Sequence, residues 1–217
     1  MTRIFRDQDM LRKLIYIAAF GYLLCACMML CQLCFGSTAS GAERWLIDNK
    51  HSSVGFEVKH LMVSNVVGRF SDVSGTVDFD GSNLDKATVD AHIGVTSLDT
   101  HQNARDKHLR SKNVFDALKF PSIDFHSDHI DVNKDGSFKI FGHLSMHGIN
   151  KEVVLDANPL VRNSDSIGKE TIETEATAEL NRKDFGISVD KTIDRGGAVV
   201  GDKVKVNLDI CLVKSST

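Results

Sequence analysis

From Trp45 onward the chain is dominated by period-two alternation of apolar and polar residues, the mark of a strand with one buried face. The clearest run is Val204, Val206, Leu208, Ile210 and Leu212, set against Lys205, Asn207, Asp209 and Cys211. Others are Phe56 and Val58; Val73, Gly75, Val77 and Phe79; Val89, Ala91, Ile93 and Val95; Phe138, Ile140, Leu144 and Met146; and Ala176, Ala178 and Leu180. Residues suited to turns separate several of them, as in Asp80-Gly81-Ser82-Asn83, Asn133-Lys134-Asp135-Gly136 and Asn163-Ser164-Asp165-Ser166. This predicts an all-β domain of about eight antiparallel strands in a meander. Such a sheet must close into a barrel or split into a sandwich, because open edges invite aggregation.

The first 42 residues follow another logic. Arg3, Arg6, Arg12 and Lys13 form a basic head, Leu14 to Phe35 carries no charge, and small residues from Gly36 to Ala42 follow. These are the parts of a secretory signal peptide, with cleavage after Ala42 or after Ala39. The predicted organisation is therefore a signal peptide over 1–42 and one barrel domain over 43–217, exported to the periplasm. The apolar run is also long enough to span a bilayer, so an uncleaved anchor is the alternative, and membrane contact is expected only in that case. Cys25, Cys27, Cys31 and Cys34 all fall in this leader. Cys211 alone remains in the domain, so no internal disulfide can staple it and the core must hold the fold. The whole chain carries a formal charge of −3 and has no long basic run, which argues against nucleic acid as a partner.

One stretch breaks the alternation. Asp99 stands three residues before Gln102 in capping-box spacing, and Asp106 precedes Arg110 by four. We read Thr100–Ser111 as one short helix capped by Asp99, with Val114, Phe115, Leu118 and Phe120 tucked inward before Pro121.

No inner face presents a repeated acid, a histidine pair or a serine–histidine arrangement. His101 and His108 are spaced to share a helix face, and His143 and His147 share a strand parity, but the nine histidines are scattered. Neither a metal nor another cofactor is expected, and acid–base catalysis lacks its paired groups. An eight-stranded barrel is just wide enough to be filled by its side chains or to hold one slender ligand. Modest inner residues favour space; the phenylalanines favour a solid core. Pattern alone leaves both open.

More specific are Trp45-Leu46-Ile47-Asp48 with His51-Ser52, Phe56 to His60, Gly68-Arg69-Phe70, and Gly75 to Asp80. Leu98-Asp99-Thr100 then leads into Arg105 to Ser111, with Phe115-Asp116 and Phe120-Pro121 beyond. Gly142 to Gly148 and Asn181 to Ile187 complete the set. In order and spacing these motifs resemble the YceI-like family of bacterial periplasmic proteins, over about Trp45 to Val213. Ser145 departs from the threonine usual there, and the leader is unusually long.

The resemblance implies a lipocalin-like, eight-stranded antiparallel barrel that binds a polyisoprenoid or other long-chain lipid in an elongated tunnel, has no settled enzymatic activity, and in some members is a homodimer. For the tunnel wall, parity and aromatic content select Phe56, Val58, Phe70, Val89, Ala91, Ile93, Phe115, Phe125, Leu144, Met146 and Phe185. The family's charged segment maps onto Arg105, Asp106, His108 and Leu109, as a rim or lid, or as a buttress tying the helix to the barrel. Arg182 and Asp184 read as a pair anchoring a strand end, and Phe141, on the outer parity, as a dimer contact. The alternative to a lipid carrier is a protein-binding or stress-response module with a solid core.

Overall fold

The computed structural model of the chain describes residues 43–60, 64–164, 168–189 and 200–215. The leader, its cleavage sites and its cysteines lie outside the described residues. Among the described residues there are twelve strand segments: β1 (Glu43–Ile47), β2 (Ser53–His60), β3 (Ser64–Phe70), β4 (Val73–Phe79), β5 (Thr88–Gly94), β6 (Leu98–Asp99), β7 (Ser122–Val132), β8 (Phe138–Met146), β9 (Ile149–Ala157), β10 (Val161–Ser164), β11 (Glu170–Asn181) and β12 (Val200–Lys214). One helix, α1 (Asn103–Leu109), lies between β6 and β7. Among the described residues no helix is long and apolar enough to cross a membrane.

The twelve segments make eight long strands, because four strands are interrupted. β1 and β2 follow each other along one edge of β12, β3 and β4 pair with them in turn, and β6 extends β5. β9 and β10 likewise share the edge of β11. Every pairing is antiparallel and joins neighbours in sequence, and the last strand returns to the first: Ile47 opposes Leu212 and Phe56 opposes Val206. The meander therefore closes into an eight-stranded antiparallel barrel, removing the sheet edges that would otherwise template association.

Three of the interruptions lie side by side. Ser97 Oγ accepts from the backbone N–H groups of Ser71 and Asp72, at 3.1 and 3.0 Å, and donates to the Gly94 carbonyl. Asn49 Oδ1 accepts from the Val73 N–H at 3.0 Å. Side chains thus take over the ladder where the strands break, so the crease leaves few backbone groups unpaired while the sheet bends.

The alternation predicts the burial well. Along β8 Phe138, Ile140, Gly142, Leu144 and Met146 are buried, whereas Lys139 is exposed and Phe141, His143 and Ser145 are half-buried. Gly142 is required where it stands: a Cβ there would come within 2.3 Å of the His126 carbonyl and 2.7 Å of the Phe125 ring. The β8–β9 hairpin turns on His147 and Gly148, at φ 54° and 77°, the two positive angles of a type I′ turn. Cys211 departs from its expected wet setting: it is buried although on the outer parity, because the Asp48–Ser52 turn folds over it. Ser52 Oγ accepts from the Cys211 N–H at 3.0 Å, and the Cys211 carbonyl accepts from the Asp48 N–H at 2.8 Å.

The helix is shorter than expected and differently started. Asp99 does not cap it; Asp99 Oδ1 accepts from the His101 N–H two residues on, with His101 at φ 59°. Gln102 holds the N-cap position and makes no side-chain cap bond. Asp106 does not pair with Arg110 either. Arg110 donates to the Thr96 and Leu98 carbonyls, so it serves the loop below the helix. Val114 and Phe115 turn inward as expected, but Leu118 is fully exposed and Phe120 packs edge-on against His147 outside the cavity.

Candidate functional site

The barrel is hollow. A cavity of about 780 Å³ runs between the two halves of the wall, within the range of natural small-molecule sites. Its lining is almost wholly aliphatic and aromatic. Ala91, Ala176 and Ala178 contribute only methyl groups, and that is the local reason for the space.

The antiparallel order gives the cavity two different ends. At one lie the β4–β5 and β7–β8 connections, where the buried rings of Phe79 and Phe138 close the wall. At the other lie the start of β3, helix α1 and the Arg182–Phe185 turn that follows β11. Ser64, Asn65, Gln102, Arg105, His108 and Arg182 line the cavity at this helix end.

Just below that rim is an aromatic belt. Phe56 and Phe70 lie 5.7 Å apart between ring centroids, and Phe115 meets Phe70 edge-on at 6.0 Å. Gly68 makes room for it, since a Cβ there would fall 2.4 Å from Phe56 Cζ and 2.8 Å from the Thr100 methyl.

Of the wall residues selected from sequence, Phe56 and Val58 on β2, Phe70 on β3, Val89, Ala91 and Ile93 on β5, Phe115 after α1, Phe125 on β7, and Leu144 and Met146 on β8 all face the cavity. Phe185 does not. It is buried in the turn after β11, outside the lining, and its carbonyl oxygen lies 3.2 Å from His147 Nδ1. It packs the wall and ties the β8–β9 hairpin tip to that turn.

The charged segment divides the same way. Arg105, His108 and Leu109 line the cavity, while Asp106 is buried behind it. Asp106 Oδ1 accepts from the Thr100 N–H at 2.9 Å and from Thr100 Oγ1 at 2.5 Å. Arg105 donates from Nε to Thr100 Oγ1 at 2.8 Å and from Nη2 to the Thr100 carbonyl at 2.9 Å. Thr100 is therefore the hub that fixes α1 over the barrel, through charge-assisted hydrogen bonds.

These observations can be set beside known proteins. Residues 45–212 match the model of the YceI-like domain. The chain belongs to the YceI-like family. A UPF0312 protein of Shewanella denitrificans is 36% identical over 155 residues, covering 70% of this chain and 81% of that protein. The crystal structure of the Campylobacter jejuni YceI protein is similar with a TM-score of 0.62 at 28% identity, over 73% of this chain and 90% of that one. A polyisoprenoid binding domain from Saccharophagus degradans, implicated in plant cell wall breakdown, shares the fold with a TM-score of 0.59 at 14% identity, over 79% and 98% of the two chains.

Within this YceI-like barrel the histidines do not converge. His101 precedes the helix and lies beside Asp99, so it shares no helix face with His108. His92 and His126 are exposed, each with Nδ1 2.6 Å from an aspartate, Asp124 and Asp90 respectively. His143 faces Asp128 at 3.3 Å, whereas His147 lies in the turn beyond the strand. Among the described residues no group of three or more His, Cys, Asp or Glu side chains could hold a metal ion.

Arg182 pairs with Asp202 at 2.7 Å rather than with Asp184, which is exposed. It also donates to the carbonyls of Ile187, Val200 and Gly201, so its guanidinium holds the barrel end together. Phe141 is half-covered by His129, whose ring stacks on it at 4.4 Å.

Several lining residues escaped selection. Val54, Val77, Val206 and Leu208 carried the right strand parity and were findable. Gln102, Asn65 and Arg182 carried no sequence signal for the cavity, since their places depend on how the loops fold back over its end.

Proposed function

We propose that this domain binds one long-chain apolar lipid in its barrel cavity, with a polyisoprenoid or fatty-acid-like chain as the occupant, and serves as a periplasmic carrier or store. The observation that carries the reading is the cavity itself: about 780 Å³ with a nearly continuous hydrocarbon wall. Water gains little in such a space, whereas an alkyl chain leaves bulk water at about 0.8 kcal/mol per methylene. Sixteen methylenes would supply about 13 kcal/mol gross, against an association cost of roughly 4–15 kcal/mol. Binding then needs few polar contacts, and selectivity is loose in chain chemistry and sharp in length and girth. The shared fold of the Saccharophagus degradans polyisoprenoid binding domain supports this choice of ligand class.

The wall from Phe56 to Met146 is assigned to the lipid tail. Arg105, His108 and Leu109 are assigned to the rim, with Asp106 and Thr100 positioning them. The signal-like leader supports the periplasmic location.

The test is native mass spectrometry of protein isolated from its own host without detergent. An adduct that dissociates as a long-chain lipid supports the proposal. A bare mass that stays unchanged after incubation with prenols and fatty acids overturns it and favours a protein-binding module.

A further inference from the structure

Leu118 is fully exposed, whereas Val67, the next most exposed large apolar side chain among the described residues, keeps part of its surface covered. The loop that carries Leu118 is firmly held. The backbone N–H groups of Phe115, Asp116 and Ala117 donate to the carbonyls of Leu109, Ser111 and Arg110, and those of Lys119 and Phe120 both donate to the Asp116 carbonyl. Val114 and Ala117 are buried beneath it. The loop thus folds back on the C-terminal end of α1 and holds the leucine out in its last turn.

A single apolar side chain on a surface is ordinary; this one has unusual neighbours. Lys119 follows it directly, Lys112 lies earlier in the same loop and Lys107 in the last turn of α1, and all three are exposed. From Arg105 to Lys119 the basic residues are Arg105, Lys107, Arg110, Lys112 and Lys119, against Asp106 and Asp116, and Asp106 is buried. This cationic segment belongs to a chain with a formal charge of −3. Lys139, Lys203 and Lys214 on the barrel wall are paired with Asp156, Glu179 and Glu43, but Lys107, Lys112 and Lys119 have no acidic partner among the described residues. The Lys119 amine lies instead 4.8 Å from the centroid of the Phe120 ring. The loop also belongs to the helix end of the cavity: Phe115 lines that cavity, and Phe120 packs on His147 at the tip of the β8–β9 hairpin.

We infer that the Arg110–Phe120 loop docks the helix end of the barrel on a bilayer surface that contains anionic phospholipid. Leu118 enters the interface, while Lys107, Lys112 and Lys119 lay their stems along it and keep their amines at the phosphates. Each lysine near such a surface is worth about fivefold in affinity, and the attraction fades within a Debye length, so it is salt-sensitive. The sequence pointed to membrane contact only through a retained leader. Folding of the loop supplies a second means, from lysines that form no run in the chain. The docking rests on surface residues and does not depend on what occupies the cavity.

The experiment sediments the protein, isolated from its host, with sucrose-loaded vesicles of phosphatidylcholine alone or with roughly one-third phosphatidylglycerol. The parent is expected to bind the anionic vesicles at least about tenfold more tightly than the neutral ones, with the difference shrinking at high salt. Lys112→Glu combined with Lys119→Glu should lower that affinity at least about tenfold, and Leu118→Ser several-fold. Lys86→Glu combined with Lys134→Glu makes the same change of charge on the connections at the closed end, and should alter binding by less than about twofold. All five positions are exposed, and emission of the buried Trp45 reports that each variant is folded. A retained leader would hold the protein on either kind of vesicle, so a second measurement reads the loop itself. In Leu118→Trp the new indole should be quenched by brominated phosphatidylcholine in the anionic vesicles, whereas buried Trp45 in the parent should not.

An unquenched new indole overturns the inference. Where the leader has been removed, so does a parent that ignores the anionic vesicles, or a Lys112 and Lys119 reversal that acts no more than the closed-end control. None of these outcomes bears on the lipid reading, which is decided by the mass of a bound chain.

Discussion

Replacing Ala178 with phenylalanine should fill part of the cavity without straining the barrel. Ala178 lies on β11 with its methyl group in the cavity wall. In a close-packed core the added ring would force neighbours off their rotamers at about 1–3 kcal/mol. Here it enters empty space, gains apolar burial, and that cost is largely avoided. Stability should therefore stay within about 1 kcal/mol of the parent.

Binding should change instead. A phenyl group displaces about three methylenes of a bound chain, worth about 2.4 kcal/mol, or roughly fifty-fold in affinity. Ala117→Phe is the matched control, because Ala117 is equally buried but lies outside the cavity. It should lose about 1–3 kcal/mol of stability. Urea unfolding followed by the emission of Trp45, the chain's single tryptophan, gives the stabilities, and fatty-acid probe titration gives the affinities. The reasoning is refuted if Ala178→Phe is destabilised as much as Ala117→Phe and binds the probe as the parent does.

Gly142→Ala should destabilise by at least about 1–3 kcal/mol, because the new methyl group would meet a backbone carbonyl that cannot step aside; a parental urea midpoint would contradict this. Thr100→Val keeps the shape but removes the hydroxyl shared by Asp106 and Arg105, and should cost about 1–3 kcal/mol in the same assay. Cys211 should resist alkylation in the native protein, since burial pushes its thiol above the ordinary range, with Glu173 and Asp48 adding to the shift; peptide mapping after iodoacetamide, with and without denaturant, checks it. Acid should weaken the fold. Asp78 is held below the usual carboxylate range by the Arg44 guanidinium, Asp80 by donors from Asn83 and Ser82, and Asp202 by Lys183. A lowered folded-state pKa contributes stability above the unfolded value that is lost as pH falls through the folded one. Urea stability should change little from these groups between about pH 7 and 5 and decline below about pH 4; a rise on acidification would contradict the assignment.

Period two was enough to establish which residues share a face, because side-chain direction along a strand is a local property of the pleat. Nine of the eleven residues selected for the wall lie on strands and line the cavity, whereas Phe115 lines it from the loop after α1 and was legible only by its aromatic ring. Phe185 does not line it, since it lies in a turn where parity has no meaning.

The helix shows a second boundary. Its existence was legible from Asp99 to Ser111, but its hydrogen bonds were not. Asp106 and Arg110 have the spacing of a surface ion pair, yet Thr100 and the Thr96 and Leu98 carbonyls offer them partners in less solvated settings. Such competition between local and tertiary partners is decided only when the loop is placed over the barrel.

The sequence by itself determined an all-β domain, its inner and outer faces, and its family. Only the tertiary structure decided that the barrel is hollow. The inner residues are compatible with a filled or an empty middle, and the difference lies in barrel girth and in where the rings of Phe56, Phe70, Phe115 and Phe125 come to rest. Closure also gathers Arg105, His108 and Asn65 at one end from segments distant in the chain, because that end is made by loops rather than by strands.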